Sequence, residues 1–290
     1  MLVIGVGVLA GILFGLLTVM VRRGLIRKSD PIAGSVVVVG IATVIVLAVT
    51  VATGQLGQLA DLHTAALYFA IGLIAPGASQ IVFMYAVRDV GASRSAIMIG
   101  TAPLLATIIA VVFRGEPLKA GLLAGTVLIV IGGASLAYER NLPIGFRARG
   151  MVLAFACALM FACRDNAMRA VGVQTTMDPR AATSWALIGA LVAVGGFALV
   201  TRRGALPGQI REVFSSFLPA GIIFGAAYTT LTIALSIGKV TVFAPLNAMQ
   251  SMWTVLLAWL ILGRSDGIGF RIVLAMLLVV SGGILIGVFR

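Results

Sequence analysis

Histidine, cysteine and charge are all scarce in this chain of 290 residues. One histidine, His63, cannot build a zinc site, which needs three or four protein ligands. The two cysteines, Cys157 and Cys163, lie six apart on one predicted helix. That spacing separates them by ~9 Å, too far for a disulfide. No HExxH, P-loop or nucleophile-elbow motif occurs. These gaps argue against a membrane-embedded enzyme, which needs a nucleophile with a base or a metal cluster. We read no catalytic residue, no cofactor and no metal. Charged residues make up only 10% of the chain, against about 25% in a soluble domain. Such a chain cannot cover its surface with polar groups, so its outer solvent is lipid.

What is abundant is apolar. Hydrophobic residues make up 61% of the sequence, in stretches of about 20 residues, the length that crosses a hydrocarbon core of roughly 30 Å. We place ten spans at 2–21, 32–53, 64–87, 92–113, 118–138, 150–171, 181–201, 214–236, 240–262 and 268–289. The start Met1-Leu2-Val3-Ile4 lacks the positive region of a signal peptide, so the first span is expected to be retained. The expected fold is an all-α integral membrane protein. The first five-helix repeat would be residues 1–140, the connecting loop 141–149 and the second repeat 150–290. Five spans is an odd number, so the second set would enter the membrane inverted relative to the first. Secondary transporters are often built this way, with a site between the repeats.

The repeat is visible in single residues. At an offset of 148, Gly77 falls on Gly225, Ala78 on Ala226, Ala86 on Ala234 and Gly115 on Gly263. Gly91 matches Gly238 after a slip of one, and Gly132-Gly133 matches Gly282-Gly283 after a small insertion. Glycines four apart (Gly7, Gly11 and Gly15; Gly121 and Gly125; Gly283 and Gly287) place hydrogen atoms along one helix face. In lipid they mark helix seams rather than a phosphate cradle.

Net charge is +12 and the pI about 11.2. The basic residues are scattered over loops in pairs such as Arg22-Arg23 and Arg202-Arg203. They suit lipid head groups rather than nucleic acid. Odd-numbered loops hold most of the 21 Lys and Arg residues, which by the positive-inside rule puts those loops in the cytoplasm and both termini outside.

Polar groups within the spans are the candidate site. Span six carries Arg164-Asp165-Asn166 and Arg169. Asp165 and Arg169 share a helix face and are expected to pair, or Asp165 pairs with Arg164 through a group on a neighbouring helix. Arg164 points elsewhere and would bind a substrate anion. Asp165 is the only acidic residue within a predicted span and is the candidate for proton coupling. The alternative is a cluster near the membrane surface, its long side chains snorkelling. In span nine, Asn247, Gln250, Ser251 and Thr254 follow Pro245 on one face, and Thr101, Pro103 and Thr107 are a weaker version in span four. Spans three and eight add Gln80 and Tyr228, which align in the repeat. We expect a cavity lined by spans one, three, four, six, eight and nine, with Gln80, Tyr228, Asn247, Gln250 and Arg164 as substrate-binding residues. Local packing of Tyr228 and interhelical hydrogen bonds by the span-nine residues are the competing readings.

Tyr85 to Leu118, with Ala86, Ala92-Ser93, Pro103 and Gly115-Glu116, resembles the drug/metabolite transporter superfamily, specifically its ten-span EamA-type branch. The second copy, Ile233 to Arg264, departs in the place of Pro245 and in Arg264, where the family usually has Glu. The resemblance implies an exporter or exchanger of small polar or amphipathic, amino-acid-like metabolites. It implies a bacterial cytoplasmic membrane with both termini inside, opposite to the loop-charge reading. Partners would be a small-molecule substrate and membrane lipid, with no nucleic acid. A lipid-linked carrier flippase is the rival within transport, and it predicts a lateral opening.

Overall fold

A computed structural model describes residues 2–102, 104–105, 108–109, 120–135, 146–237, 249–263 and 269–289, and every element in it is helical. Pro103, Thr107, Gly115, Glu116, Asn247 and Pro245 lie outside the described residues. The helices are α1 (Leu2–Arg27), α2 (Pro31–Ala52), α3 (Leu62–Gly72), α4 (Ser79–Val90), α5 (Ala92–Ile99), α6 (Ala120–Ser135), α7 (Arg149–Gln174), α8 (Pro179–Arg202), α9 (Leu206–Ile237), α10 (Gln250–Leu262) and α11 (Phe270–Phe289).

Among the described residues, five segments are long and apolar enough to cross a membrane: Gly5–Arg27, Pro31–Ala52, Leu62–Val90, Arg149–Gln174 and Pro179–Ala234. The last holds α8 and α9. Shorter apolar helices cover Leu123–Gly132, Gln250–Leu262 and Phe270–Leu285. The third segment is broken between α3 and α4, where Ala75 leaves helical geometry (φ −145°, ψ 115°) before Pro76. Proline has no N–H and clashes with the preceding turn, which accounts for the break.

Two helix starts are built alike. Asp30 caps α2 by accepting from the Ile32 and Ala33 amides, and Asp178 caps α8 by accepting from the Arg180 amide. A proline, Pro31 or Pro179, follows each cap, at the position where its missing N–H costs nothing. Ser35 then donates to the Pro31 carbonyl and Thr183 to the Pro179 carbonyl. All three pairs of positions differ by 148.

Several close helix contacts are reciprocal in the same way. A Cβ on Gly77 would lie 3.2 Å from Ala190 Cα, and one on Gly225 3.4 Å from Ala42 Cα. One on Gly221 would meet Ile41 Cβ at 2.7 Å, and one on Gly189 the Leu73 nitrogen at 3.2 Å. A Cβ on Gly132 would meet Val279 and Ala275, and one on Gly282 would meet Ile129 and Gly125. Adding 148 to one member of each of the first two pairs and subtracting it from the other yields the partner contact; for the third the offset is 150.

Helices α6 and α11 run antiparallel, because Gly132 meets residues 275–279, Gly282 meets Gly125 and Ile129, and Gly121 meets Phe289. Helices α2 and α8 also run antiparallel: Thr43 donates to the Leu187 carbonyl at 3.3 Å, and Thr50 shares a 3.0 Å hydrogen bond with Ser184. The main apolar core is formed by side chains of α1, α2, α4, α8 and α9, among them Leu17, Val38, Met84, Leu187 and Phe217.

Gly282→Ala places a methyl group 2.5 Å from the Gly125 carbonyl and is expected to destabilise the protein by about 1–3 kcal/mol. Gly195→Ala, with nothing within 4 Å, should be neutral or slightly stabilising. Thermal unfolding of the two variants in detergent checks the difference.

Candidate functional site

Arg164 sits on α7, ten residues from its C-terminal end, or ~15 Å along the axis, so it is inside the helix rather than at its mouth. The side chain is buried. Its Nε and Nη2 lie 2.9 and 2.8 Å from the same Asp165 oxygen, Oδ1. The expected Asp165–Arg169 pair does not form, and Arg169 is exposed. Neighbouring positions on a helix diverge by about 100°, but the long guanidinium stem curls around to reach Asp165. A buried cation without a counter-charge is costly, and this pairing removes most of that cost.

The guanidinium also lies over two aromatic faces, 4.6 Å from the Phe161 ring and 5.5 Å from the Tyr228 ring. Such faces carry partial negative charge and attract cations. Asp165 keeps about a fifth of its side chain exposed, and its second oxygen makes no bond to Arg164. The pair is therefore neutral overall, with carboxylate capacity to spare.

Beside Arg164 is a cavity of about 20 Å³, room for roughly one water. Its described lining includes Phe14 of α1, Gly100 after α5, Phe161 and Arg164 of α7, and Gln250 and Ser251 of α10. Spans one, four, six and nine thus meet here. Ser251 donates to the Ala96 carbonyl at 2.7 Å and ties α10 to α5.

Gln80 and Tyr228 are not among the described lining residues. Tyr228 is fully buried, edge-on to Phe224 at 5.7 Å, with its hydroxyl 3.4 Å from the Ala75 carbonyl at the helix break. It supports Arg164 from beneath. Gln80 is buried on α4, and its Nε2 has no hydrogen-bond partner. Thr229, Thr232 and Thr254 each donate to the carbonyl four residues back in their own helix. Asn247 lies outside the described residues.

Asp89 differs from expectation. The gap expected between spans 64–87 and 92–113 narrows to Gly91, since α4 runs through Val90, and Asp89 is buried near the end of an apolar segment. Asp165 is therefore not the only acidic residue inside a span. The signal was present as an acid beside Arg88 at the end of an apolar run, but a charged pair close to a glycine also reads as a loop.

Apolar helices long enough to span a bilayer, with buried and paired charges among them, define an integral membrane protein. The chain belongs to the EamA-like transporter family, whose model matches residues 1–137 and 148–288. It is a membrane transporter by that membership. No curated protein matches its sequence. A solved crystal structure is similar over 95% of this chain and 95% of its own, with a TM-score of 0.60 at 17% identity, a likeness of fold alone.

Tyr228→Phe should change stability by less than about 1 kcal/mol, because the hydroxyl bond is long. Tyr228→Ala should cost about 3–5 kcal/mol through the cavity it leaves. Unfolding midpoints of the two variants separate the ring's role from the hydroxyl's.

Proposed function

We propose that the protein is a ten-span secondary transporter, built as a 5+5 inverted repeat, that moves small polar or amphipathic, amino-acid-like metabolites by alternating access. The first repeat is residues 1–140, the connecting loop 141–149 and the second repeat 150–290. It acts as an exporter or exchanger in a bacterial cytoplasmic membrane. The reciprocal glycine contacts support the repeat. The offset exchanges one contact for its partner contact, and the related helices α2 with α8 and α6 with α11 are antiparallel. An inverted repeat, with a two-fold axis lying across the helices in the membrane plane, would relate two units in that way. The cavity beside Arg164 is lined from spans one, four, six and nine, a set that such an axis maps onto itself (one onto six, four onto nine).

The observation that carries the function is the buried Arg164, paired with Asp165 and lining that cavity together with Gln250. Arg164 binds the carboxylate or phosphate of a substrate. Asp165, released in part, takes the substrate's cationic group or a proton. Gln250 and Asn247 supply neutral hydrogen bonds from span nine, and Gln80 and Tyr228 shape the wall behind Arg164.

A second reading is the flipping of a lipid-linked carrier. A groove of about 600 Å³ between α10 and α11 favours it, lined by Trp253, Leu256, Trp259, Phe270, Val273 and Met276. It is apolar and opens sideways at the exposed faces of Trp259 and Phe270.

A panel of amino acids and nucleosides is tested by ligand-induced thermal shift on the purified protein, then by uptake into proteoliposomes. Arg164→Gln should weaken binding of anionic ligands about tenfold or more while the protein stays folded. If the variant binds and transports every ligand as the parent does, the recognition role is wrong. Transbilayer movement of a fluorescent polyprenyl phosphate, with no small-molecule uptake, would favour the second reading.

A further inference from the structure

Asp89 is used by nothing in the site just described, yet it is among the most enclosed charges in the protein, 1% exposed. Its Oδ1 accepts from Arg88 Nε and its Oδ2 from Arg149 Nε, each at 2.7 Å. Its backbone carbonyl accepts from the Arg147 amide at 2.7 Å. Arg22 of α1 donates through Nη1 to the carbonyls of Val87 and Arg88, at 3.2 and 2.8 Å. Those carbonyls belong to the last turn of α4, where the helix dipole favours a cation. Gly150 has no space for a side chain, since a Cβ there would meet Val90 Cγ1 at 2.7 Å and Asp89 Cβ at 2.8 Å. The end of α4, the end of α1, the connecting segment and the start of α7 are thus tied at one end of the bundle. Arg164 is 15 residues further along α7, ~22 Å away.

We propose that the Asp89–Arg149 pair is a one-sided latch that holds the bundle shut at this end, a reading that rests on the alternating-access function above. The one-sidedness comes from the repeat. At the offset of 148, Asp89 corresponds to Ile237 and Arg149 to Met1, and with a slip of one Asp89 falls on Ser236. None of these side chains carries a charge, so the pair is not repeated at the equivalent positions of the other half. In a transporter whose two ends open in turn, a tie present at only one of them shifts the balance toward the state closed there. The latch is also weak enough to release. The Arg149 side chain is 58% exposed, which puts the pair in the range of surface ion pairs, a factor of about five or less in an equilibrium. When it opens, Arg88 still neutralises Asp89, so no bare carboxylate is left behind.

The test reads opening directly and needs no substrate. Val90 is fully buried beneath the latch. Val90→Cys is introduced into the full chain carrying Cys157→Ala and Cys163→Ala, and its reaction with a maleimide is timed in the purified protein. Arg149→Gln should speed labelling about three- to fivefold, and Arg149→Lys, which keeps the charge, should label close to the parent rate. A second chain keeps Cys163, which is exposed on α7 near Arg164, as the only cysteine. Its labelling rate should be the same with and without Arg149→Gln. Equal rates at position 90 with and without Arg149→Gln would overturn the latch. So would an increase at position 163 in step with position 90, which would mean general loosening. Loss of the transport reading shows separately, as absence of uptake by the parent chain.

Discussion

In lipid, two apolar helices gain nothing by hiding from their surroundings, because the surroundings are apolar too. Association has to come from contact, and contact is closest where a helix carries no side chain. The structure depends on this at Gly77, Gly189, Gly221, Gly225, Gly132 and Gly282, where one helix comes against a neighbour at distances that leave no room for a methyl group or only just admit one. These glycines lie on spans whose partners come from the other half of the chain. The same contacts that hold the bundle together therefore join the two halves. A few polar ties add register: Thr43 to Leu187, Thr50 to Ser184 and Ser251 to Ala96.

Charge is distributed under the opposite constraint. Each ion inside the bundle needs a counter-ion or backbone carbonyls within reach, and α7 carries two ion pairs. At its start Arg149 reaches across to Asp89 on α4, a contact between helices. Further along, Arg164 closes on Asp165 of its own helix. The two have different consequences. An ion pair between helices resists their separation, whereas a pair within one helix leaves that helix free to move. A pair of the second kind can also exchange partners with an incoming ligand without breaking a contact between helices. This difference is why we assign recognition to Arg164 and closure to Asp89.

Much of this organisation was legible in the sequence, and the parts that were not have physical reasons. The Gly77–Gly225 match marked a real pair of equivalent close approaches, because glycine is demanded by sterics and so survives as a letter. The Asp30-Pro31 and Asp178-Pro179 starts were equally legible, two helix caps with an N1 proline at the same offset, although a search of span interiors passes over them. The partner of Arg164 was legible only as the second of two alternatives, and its direct contact within one helix was not. Helical spacing places Cβ directions, not the reach of a long flexible stem, so Asp165 with Arg169 looked the better pair. The setting of Tyr228 was hidden for a related cause. A tyrosine in an apolar helix has a polar end that could face a cavity, and only the break at Ala75 on another span shows where the hydroxyl goes. The continuous apolar run of residues 64–87 concealed that break, although Pro76 stood in it.

The break and the site are connected through one side chain. Pro76 interrupts span three, and the Ala75 carbonyl beside it accepts from the Tyr228 hydroxyl of span eight. The ring of Tyr228 lies beneath the Arg164 guanidinium of span six. A shift of span three at its weakest point would move Tyr228, and with it the face on which the guanidinium rests. Asp89 is at the far end of the same span, on the segment beyond the break. The break at Ala75 and Pro76 thus stands between the proposed latch and the proposed recognition site. A helix unbroken from 62 to 90 would carry any motion at Asp89 rigidly to its other end. A helix broken at its middle does not couple its two halves so rigidly, which sets the Asp89 segment apart from the half that bears on Tyr228.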